Sequence, residues 1–335
     1  MRLARWNVAL AAALATLLSL PAWGADTNTR RTAMPGTLNY VEGQASIGDQ
    51  ALDSKSVGQA DLQDGQILST GNGKAEVLLT PGVYLRVGSN SEVKMVSTSL
   101  ANTQVAVDRG EAMLEVDRIY KENNIHVDQA GADTRIEKNG LYDFDAAGNL
   151  IRVFDGKAEV TSNDHNTTVK GGHELDLVAD GKLKAHGFSK DQVRQDDDLY
   201  RWSSLRSEYL SEANVDSARL YYADGGWGPG WYGPGWYWNP WFAGFTYLPG
   251  DGFFYNPFGW GFYSPIMVYR APFIVGGGYY HHFDGGRSVA IGRGFHGHAV
   301  RGFSSAHLGG FHTGGANAFH GARGGGGMHG GGGHR

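Results

Sequence analysis

The side chains of this sequence that could carry chemistry are histidines, tryptophans and a few carboxylates, and they are unevenly spread. Nine of the thirteen histidines lie at or beyond His281. His281, His282, His296, His298, His307 and His312 are the candidate metal ligands, because neutral imidazole binds zinc, copper or nickel and a pliable chain can gather several rings around one ion. They show no fixed ligand spacing, and glycine linkers raise the entropic cost of closing a site, so the competing reading is a low-complexity tail with no cofactor. Trp227, Trp231, Trp236, Trp238, Trp241 and Trp260 are the candidate ligand or partner contacts. Such rings can stack on the sugars of cell-wall glycan, lie against an envelope protein, or pack on their own chain. Glu111 and Glu115 share the parity of one expected strand and read as structural or surface carboxylates, since no cleft is visible in the sequence. Asp143-Phe144-Asp145 opens like a calcium loop, but Ala147 and Phe154 stand where the fifth and twelfth residues must supply oxygen, and a hairpin between Phe144 and Ile151 accounts for it better. There is no cysteine, no Gly-x-Ser-x-Gly elbow and no His-Glu-x-x-His helix. Thiol chemistry and the commonest hydrolase geometries are therefore missing, and the chain reads as a non-enzyme with no catalytic residues.

The elements that must position these residues fall into blocks. Arg2 and Arg5, the apolar run Val8–Leu20 and the small residues of Ala22-Trp23-Gly24 read as a secretory leader over 1–24, with maturation at Ala25. That implies a periplasmic, surface or secreted location. The leader's apolar run is too short to span a bilayer, and no later segment reads as a span. Residues 25–35 read as a linker. From 36 to 188 short apolar alternations are separated by glycine turns: Ala75, Val77 and Leu79, then Pro81-Gly82, then Val83, Leu85 and Val87. Val105 with Val107, Ile125 with Val127, and Ile151 with Val153 continue the period of two, which buries one face of each strand. Asp180-Gly181 is the strongest hairpin signal, with Asp155-Gly156 and Asn72-Gly73 as weaker ones. The spacing predicts a mainly β domain, a sandwich or a short solenoid. A helix over 189–214 follows, capped by Ser189 or Asp191, with Leu199, Trp202, Leu205 and Tyr209 as the stripe that docks on the β-domain and Arg201, Arg206, Glu208 and Glu212 on its other faces. Residues 215–280 are rich in glycine, proline and aromatics, and 281–335 in glycine and histidine; both are expected to be largely irregular, the second disordered. Charge divides likewise. Six arginines against Asp251 and Asp284 leave the stretch after Gly225 at +4, while residues 25–225 carry −11. An acidic body and a thinly charged tail argue against nucleic acid as a partner.

The β-region resembles the FecR domain family. The resemblance rests on Leu68-Ser69-Thr70-Gly71, on Glu76 to Gly88 with Pro81-Gly82 inside it, then Ser91, on Val105 to Val116 with Gly110 inside it, and on Val153 to Val160. One step departs from the pattern, Asn139-Gly140-Leu141-Tyr142-Asp143-Phe144. The resemblance implies a FecR-like β-domain acting as an interaction or sensing module. The membrane-anchored regulators of that family join a sigma-factor-binding part to the domain through a transmembrane helix. Here a leader precedes the domain directly, so the expectation sets a sigma-factor pathway aside. The alternative function is metal binding or sequestration by the histidine tail.

Overall fold

Alternation of buried and exposed side chains builds a sheet in this chain before anything else, because each strand can hide only one face of its pleat. The structure, a computed structural model, describes residues 32–177, 183–223 and 232–271, and the backbone of two further strands at 280–284 and 287–291. The strands run β1 (Leu38–Ile47), β2 (Gln50–Ala51), β3 (Ile67–Leu78), β4 (Val83–Val87), β5 (Glu92–Ser99), β6 (Asn102–Arg109), β7 (Glu111–Val116) and β8 (Ile125–Gln129). They continue with β9 (Ala132–Ile136), β10 (Gly140–Asp145), β11 (Leu150–Asp155), β12 (Lys157–Ser162), β13 (His165–Lys170), β14 (His173–Asp176) and β15 (Ala185–Gly187). Two helices follow, α1 (Lys190–Asp196) and α2 (Asp198–Ala223). Then come the hairpins β16 (Gly235–Asn239) with β17 (Gly244–Leu248), β18 (Phe253–Tyr255) with β19 (Gly261–Tyr263), and β20 (Tyr280–Asp284) with β21 (Arg287–Ile291).

The fold is mainly β with one long helix after the sheet. The first fifteen strands form one hydrogen-bonded sheet, in the order β13-β12-β9-β8-β6-β5-β3-β4-β7-β10-β11-β14-β15, with β1 on the other edge of β3. The expected sandwich or solenoid is replaced by a single near-barrel sheet. Every pairing is antiparallel except β6–β8, whereas a coiled solenoid stacks parallel strands. The inner face closes on one core built from almost every strand, including Leu68, Val77, Leu85, Val105, Leu114, Val127, Phe144 and Val153.

Two of the sequence's turn signals part ways. Pro81-Gly82 makes the β3–β4 turn: Val83 N donates to Thr80 O at 2.8 Å, with proline before a glycine at φ 85. Asn72-Gly73 is not a turn. It lies inside β3, at a bulge of β3 itself where Gly71 and Asn72 together face Gln44 of β1, and a Cβ on Gly73 would sit 2.5 Å from Gln44 N. The glycine is there for close backbone approach. The Asp180-Gly181 turn lies outside the described residues, though β14 and β15 on either side of it pair antiparallel.

The sheet's outer face along β3, β4, β7 and β10 is covered by α2 and by the aromatic hairpins. This is where the structure departs most from expectation. The helix runs to Ala223, nine residues past the expected end, and breaks at Asp197. Its buried face is Leu199, Ser203, Arg206, Ser207, Leu210, Ala213, Asn214, Ser217 and Ala218. Leu205 and Tyr209, expected to dock, are 48 % and 45 % exposed. The segment 235–271 is likewise built of regular hairpins in place of irregular chain. Proline and glycine fall at its turns, while Trp238 packs edge-on across the ladder against Phe245 at 5.1 Å.

Candidate functional site

The outer face carries carboxylates and arginines that the period of two brings to the same side. Glu76 of β3 pairs in register with Arg86 of β4, and Glu115 of β7 lies beside them. Arg86 donates from Nε to Glu76 at 2.8 Å and from Nη1 to Glu115, and all three side chains are fully buried. Arg206 of α2 adds a second guanidinium, 2.9 Å from Glu76, and lies 4.0 Å over the Tyr40 ring. Burial pushes the Glu76 carboxyl up, but Arg206 and Arg86 outweigh it and hold the group below its ordinary value. Ser207 donates to Glu115 at 2.8 Å, and Asn256, just past β18, donates to it at 2.6 Å. Asn39 of β1 joins Glu76 at 2.8 Å and closes on the backbone of Phe245 from both its amide atoms. Two acids and two arginines balance here, so this network reads as the seat of the helix and the hairpins.

A second group of charges on the same face does not balance. Glu111 opens β7, Asp143 sits on β10, and Asp197 is the residue between α1 and α2. One carboxylate oxygen from each lies within 4.8 Å of the others. The chain positions each acid separately. Gly110 at φ 73 lets the backbone turn against Ser91, whose Oγ accepts from Glu111 N at 2.9 Å. Thr70, inside Leu68-Ser69-Thr70-Gly71, fixes that Ser91 in turn, since Ser91 N donates to Thr70 Oγ1 at 2.9 Å. Asp143 is fully buried and receives Arg152 Nη1 on Oδ2 at 2.7 Å. Asp197 caps α2 by accepting Tyr200 N on Oδ1 at 3.0 Å. Asp143 Oδ1 and Asp197 Oδ2 are buried without a hydrogen-bond partner. Burial, with Asp143 and Asp197 alongside, pushes the Glu111 carboxyl up to about 10. Burial also raises Asp143 to about 7, against the pull of Arg152. A cavity of about 590 Å³ opens over the group, lined by Glu111, Asp145, Glu174, Asp196, Asp197 and Asp198 with Arg152 as the one base.

Among the residues singled out in the sequence, Trp236 stacks edge-on against Tyr84 at 4.9 Å, and Trp238 and Trp260 are half-buried in the same outer layer. Trp241 stands apart, 91 % exposed at the tip of the β16–β17 hairpin. Trp227 and Trp231 lie outside the described residues, as do His296, His298, His307 and His312. His281 and His282 lie on β20, known only as backbone. The sequence reading missed Asp197 and Asn256, set Asp143 aside with its calcium-like loop, and placed Arg206 on a face of the helix away from the docking stripe. The parity of Glu111, Glu115 and Asp143 was there to be read; the register Asp143↔Met113 that brings the strands side by side was not.

Residues 66–159 match the family model described as FecR protein, so the chain contains a FecR domain. A search of curated proteins finds no match. Among solved structures the chain is similar to two crystal structures, at 2.50 and 1.65 Å resolution, of a "putative anti-sigma factor" from Parabacteroides distasonis ATCC 8503. Identity is 16 % in both, with TM-scores of 0.34 and 0.33 over 39 % and 38 % of this chain. The alignment spans 64 % and 62 % of those chains. The expectation that set a sigma-factor pathway aside is corrected by those two descriptions, and that exclusion is withdrawn. Among the described residues no helix is long and apolar enough to cross a membrane.

Proposed function

We propose that this FecR-domain chain is an exported, non-catalytic interaction module whose contact surface centres on Trp241. The leader-like residues up to Gly24 support export. The observation that carries the contact surface is the contrast among the tryptophans: Trp236, Trp238 and Trp260 are spent in packing, while Trp241 projects 91 % exposed. Its hairpin tip is held firmly, because Asn239 Oδ1 accepts from the backbone N of both Trp241 and Phe242 at 3.0 Å. Its neighbour Phe242 reaches Tyr209 of α2 at 6.4 Å, and Tyr209 and Leu205, one helical turn apart, are themselves exposed apolar side chains. An exposed tryptophan on a hydrogen-bonded turn has the character of an interface anchor.

A photo-cross-linking residue placed at 241 in cells is expected to give a discrete protein adduct that is absent when the same residue replaces exposed Asp49. Trp241→Ala is expected to weaken that partner's binding about 30-fold or more, as loss of an anchor does. Equal labelling from both positions would remove Trp241 from the interface. Export is checked by the mature amino terminus, expected at Ala25; full-length chain in the cytosol contradicts it. A second reading, metal sequestration by the tail, is supported by the number of histidines alone. It predicts zinc uptake that disappears when the chain is ended before His281.

A further inference from the structure

Glu111, Asp143 and Asp197 bring three carboxyl groups together on the sheet's outer face with one arginine among them. Three carboxylates converge within 4.8 Å of one another, and Arg152 answers only one of them, through Asp143 Oδ2. The cluster has a second feature that points to a missing partner. Asp143 is fully buried and its Oδ1 has no hydrogen-bond partner, and the buried Oδ2 of Asp197 is in the same state. Buried carboxylate oxygens are ordinarily hydrogen-bonded or bound to metal, because leaving one bare forfeits its hydration with nothing in return.

We infer that Glu111, Asp143 and Asp197 form a binding site for a calcium-sized divalent cation, which ties the α1–α2 junction to the sheet. The chemistry selects the class of ion. All the donors are carboxylate oxygens, which suit hard cations over zinc or copper. Oxygens up to 4.8 Å apart can face each other across an ion that binds at about 2.4 Å, calcium's distance, while magnesium needs an octahedron at about 2.0–2.1 Å. Ligands must be deprotonated to bind, and with all three carboxyls ionised and Arg152 counted the group carries two negative charges, the number a divalent ion neutralises. The open cavity lined by Glu111 and Asp197 leaves room for the waters that would complete calcium's coordination. The three ligands come from β7, β10 and the break between the helices, so the ion joins elements that are distant in sequence. This inference does not depend on Trp241 or on any partner.

The test is a calcium titration of the chelator-treated full chain, followed by calorimetry and thermal unfolding. One ion per chain is expected, with a Kd on the order of 10⁻⁴ M, the range of modest oxygen sites. At about 100 times the Kd the melting temperature should rise by roughly 5–10 °C. Glu111→Gln should weaken binding at least about tenfold, since it removes a charged ligand while relieving repulsion, and circular dichroism should confirm that it folds. Asp197→Asn should do the same and still cap α2, because asparagine accepts from Tyr200 N as well as aspartate does. Asp49→Asn, on an exposed turn away from the cluster, should bind as the natural chain does. The histidine tail does not confuse the measurement, because imidazole is a poor ligand for calcium. Absence of both heat and melting shift overturns the inference. So does calcium binding that survives Glu111→Gln and Asp197→Asn unchanged, which would place the ion elsewhere.

Discussion

Arg206 decides where the long helix sits. Its guanidinium leaves water to meet Glu76 at 2.9 Å and the face of Tyr40 at 4.0 Å. Burying a charge is tolerable only with such partners, and removing one partner strands the others. Glu76 would keep Arg86, but its second guanidinium would be gone from a fully buried carboxylate. Arg206→Ala is therefore expected to cost about 3–5 kcal/mol of stability, read from urea unfolding. A loss below about 1 kcal/mol, the level of an exposed ion pair, would show that the network is not holding the helix. In sequence Arg206 is one more charged residue on a helix, and charged residues there are ordinarily solvated. Nothing local distinguishes it from Arg201, which is half exposed and meets Asp198 of its own helix at 3.5 Å and the carbonyl of Gln195.

At the scale of the element, α2 shows how an apolar stripe can mislead. Leu199, Trp202, Leu205 and Tyr209 recur at helical spacing, yet the helix is rotated so that Leu199 is buried, Trp202 half-buried, and Leu205 and Tyr209 exposed. The sheet face beneath it is charged and crowded, and it favours the side of the helix that offers Arg206, Ser207, Asn214 and small residues. Asn214 illustrates the fit: Nδ2 donates to Tyr247 O at 2.9 Å and to Tyr263 O at 3.1 Å, while Oδ1 accepts from Tyr263 N at 2.8 Å, tying both aromatic hairpins to the helix. The two faces should therefore respond oppositely to substitution. Leu205→Glu, on the exposed side, is expected to shift stability by no more than about 0.5 kcal/mol. Ala218→Leu forces extra volume into a fully buried position and should cost about 1–3 kcal/mol. Chemical denaturation of the two variants side by side reads the difference; similar costs would mean that the helix docks by its apolar stripe after all.

For the whole molecule, the consequence is a second layer. Leu78 and Tyr84, on the outward side of β3 and β4, pack with Leu210, Phe245, Tyr247 and Phe262 into a cluster of their own. The near-barrel thus has its own inner core, and the tract after Gly225 supplies the cover for its outer face. A chain ended at Ala223 would bare Tyr84 and Leu78 and is expected to lose at least about 3 kcal/mol, the cost of emptying one large aromatic site. It should also bind the dye ANS, which reports exposed apolar surface. Unchanged stability and no dye binding would show that the hairpins merely rest on the sheet.

Much of the inner sheet was legible from the residues alone. Period two placed Val77, Leu85, Val105, Val127 and Val153 inward, Pro81-Gly82 marked a true turn, and Leu68-Ser69-Thr70-Gly71 marked the stretch that the FecR match covers. Those signals are local: alternation and turn chemistry depend on neighbours a few residues apart. What tertiary structure alone decided was everything that depends on register and on which layer lies above which. Asn72-Gly73 carries turn residues but sits at a bulge; Arg206 carries a surface charge but meets Glu76; Glu111, Asp143 and Asp197 span 87 positions yet bring carboxylate oxygens within 4.8 Å of one another. A carboxylate's neighbours across a sheet are set by long-range pairing, and no pattern within its own strand carries that information.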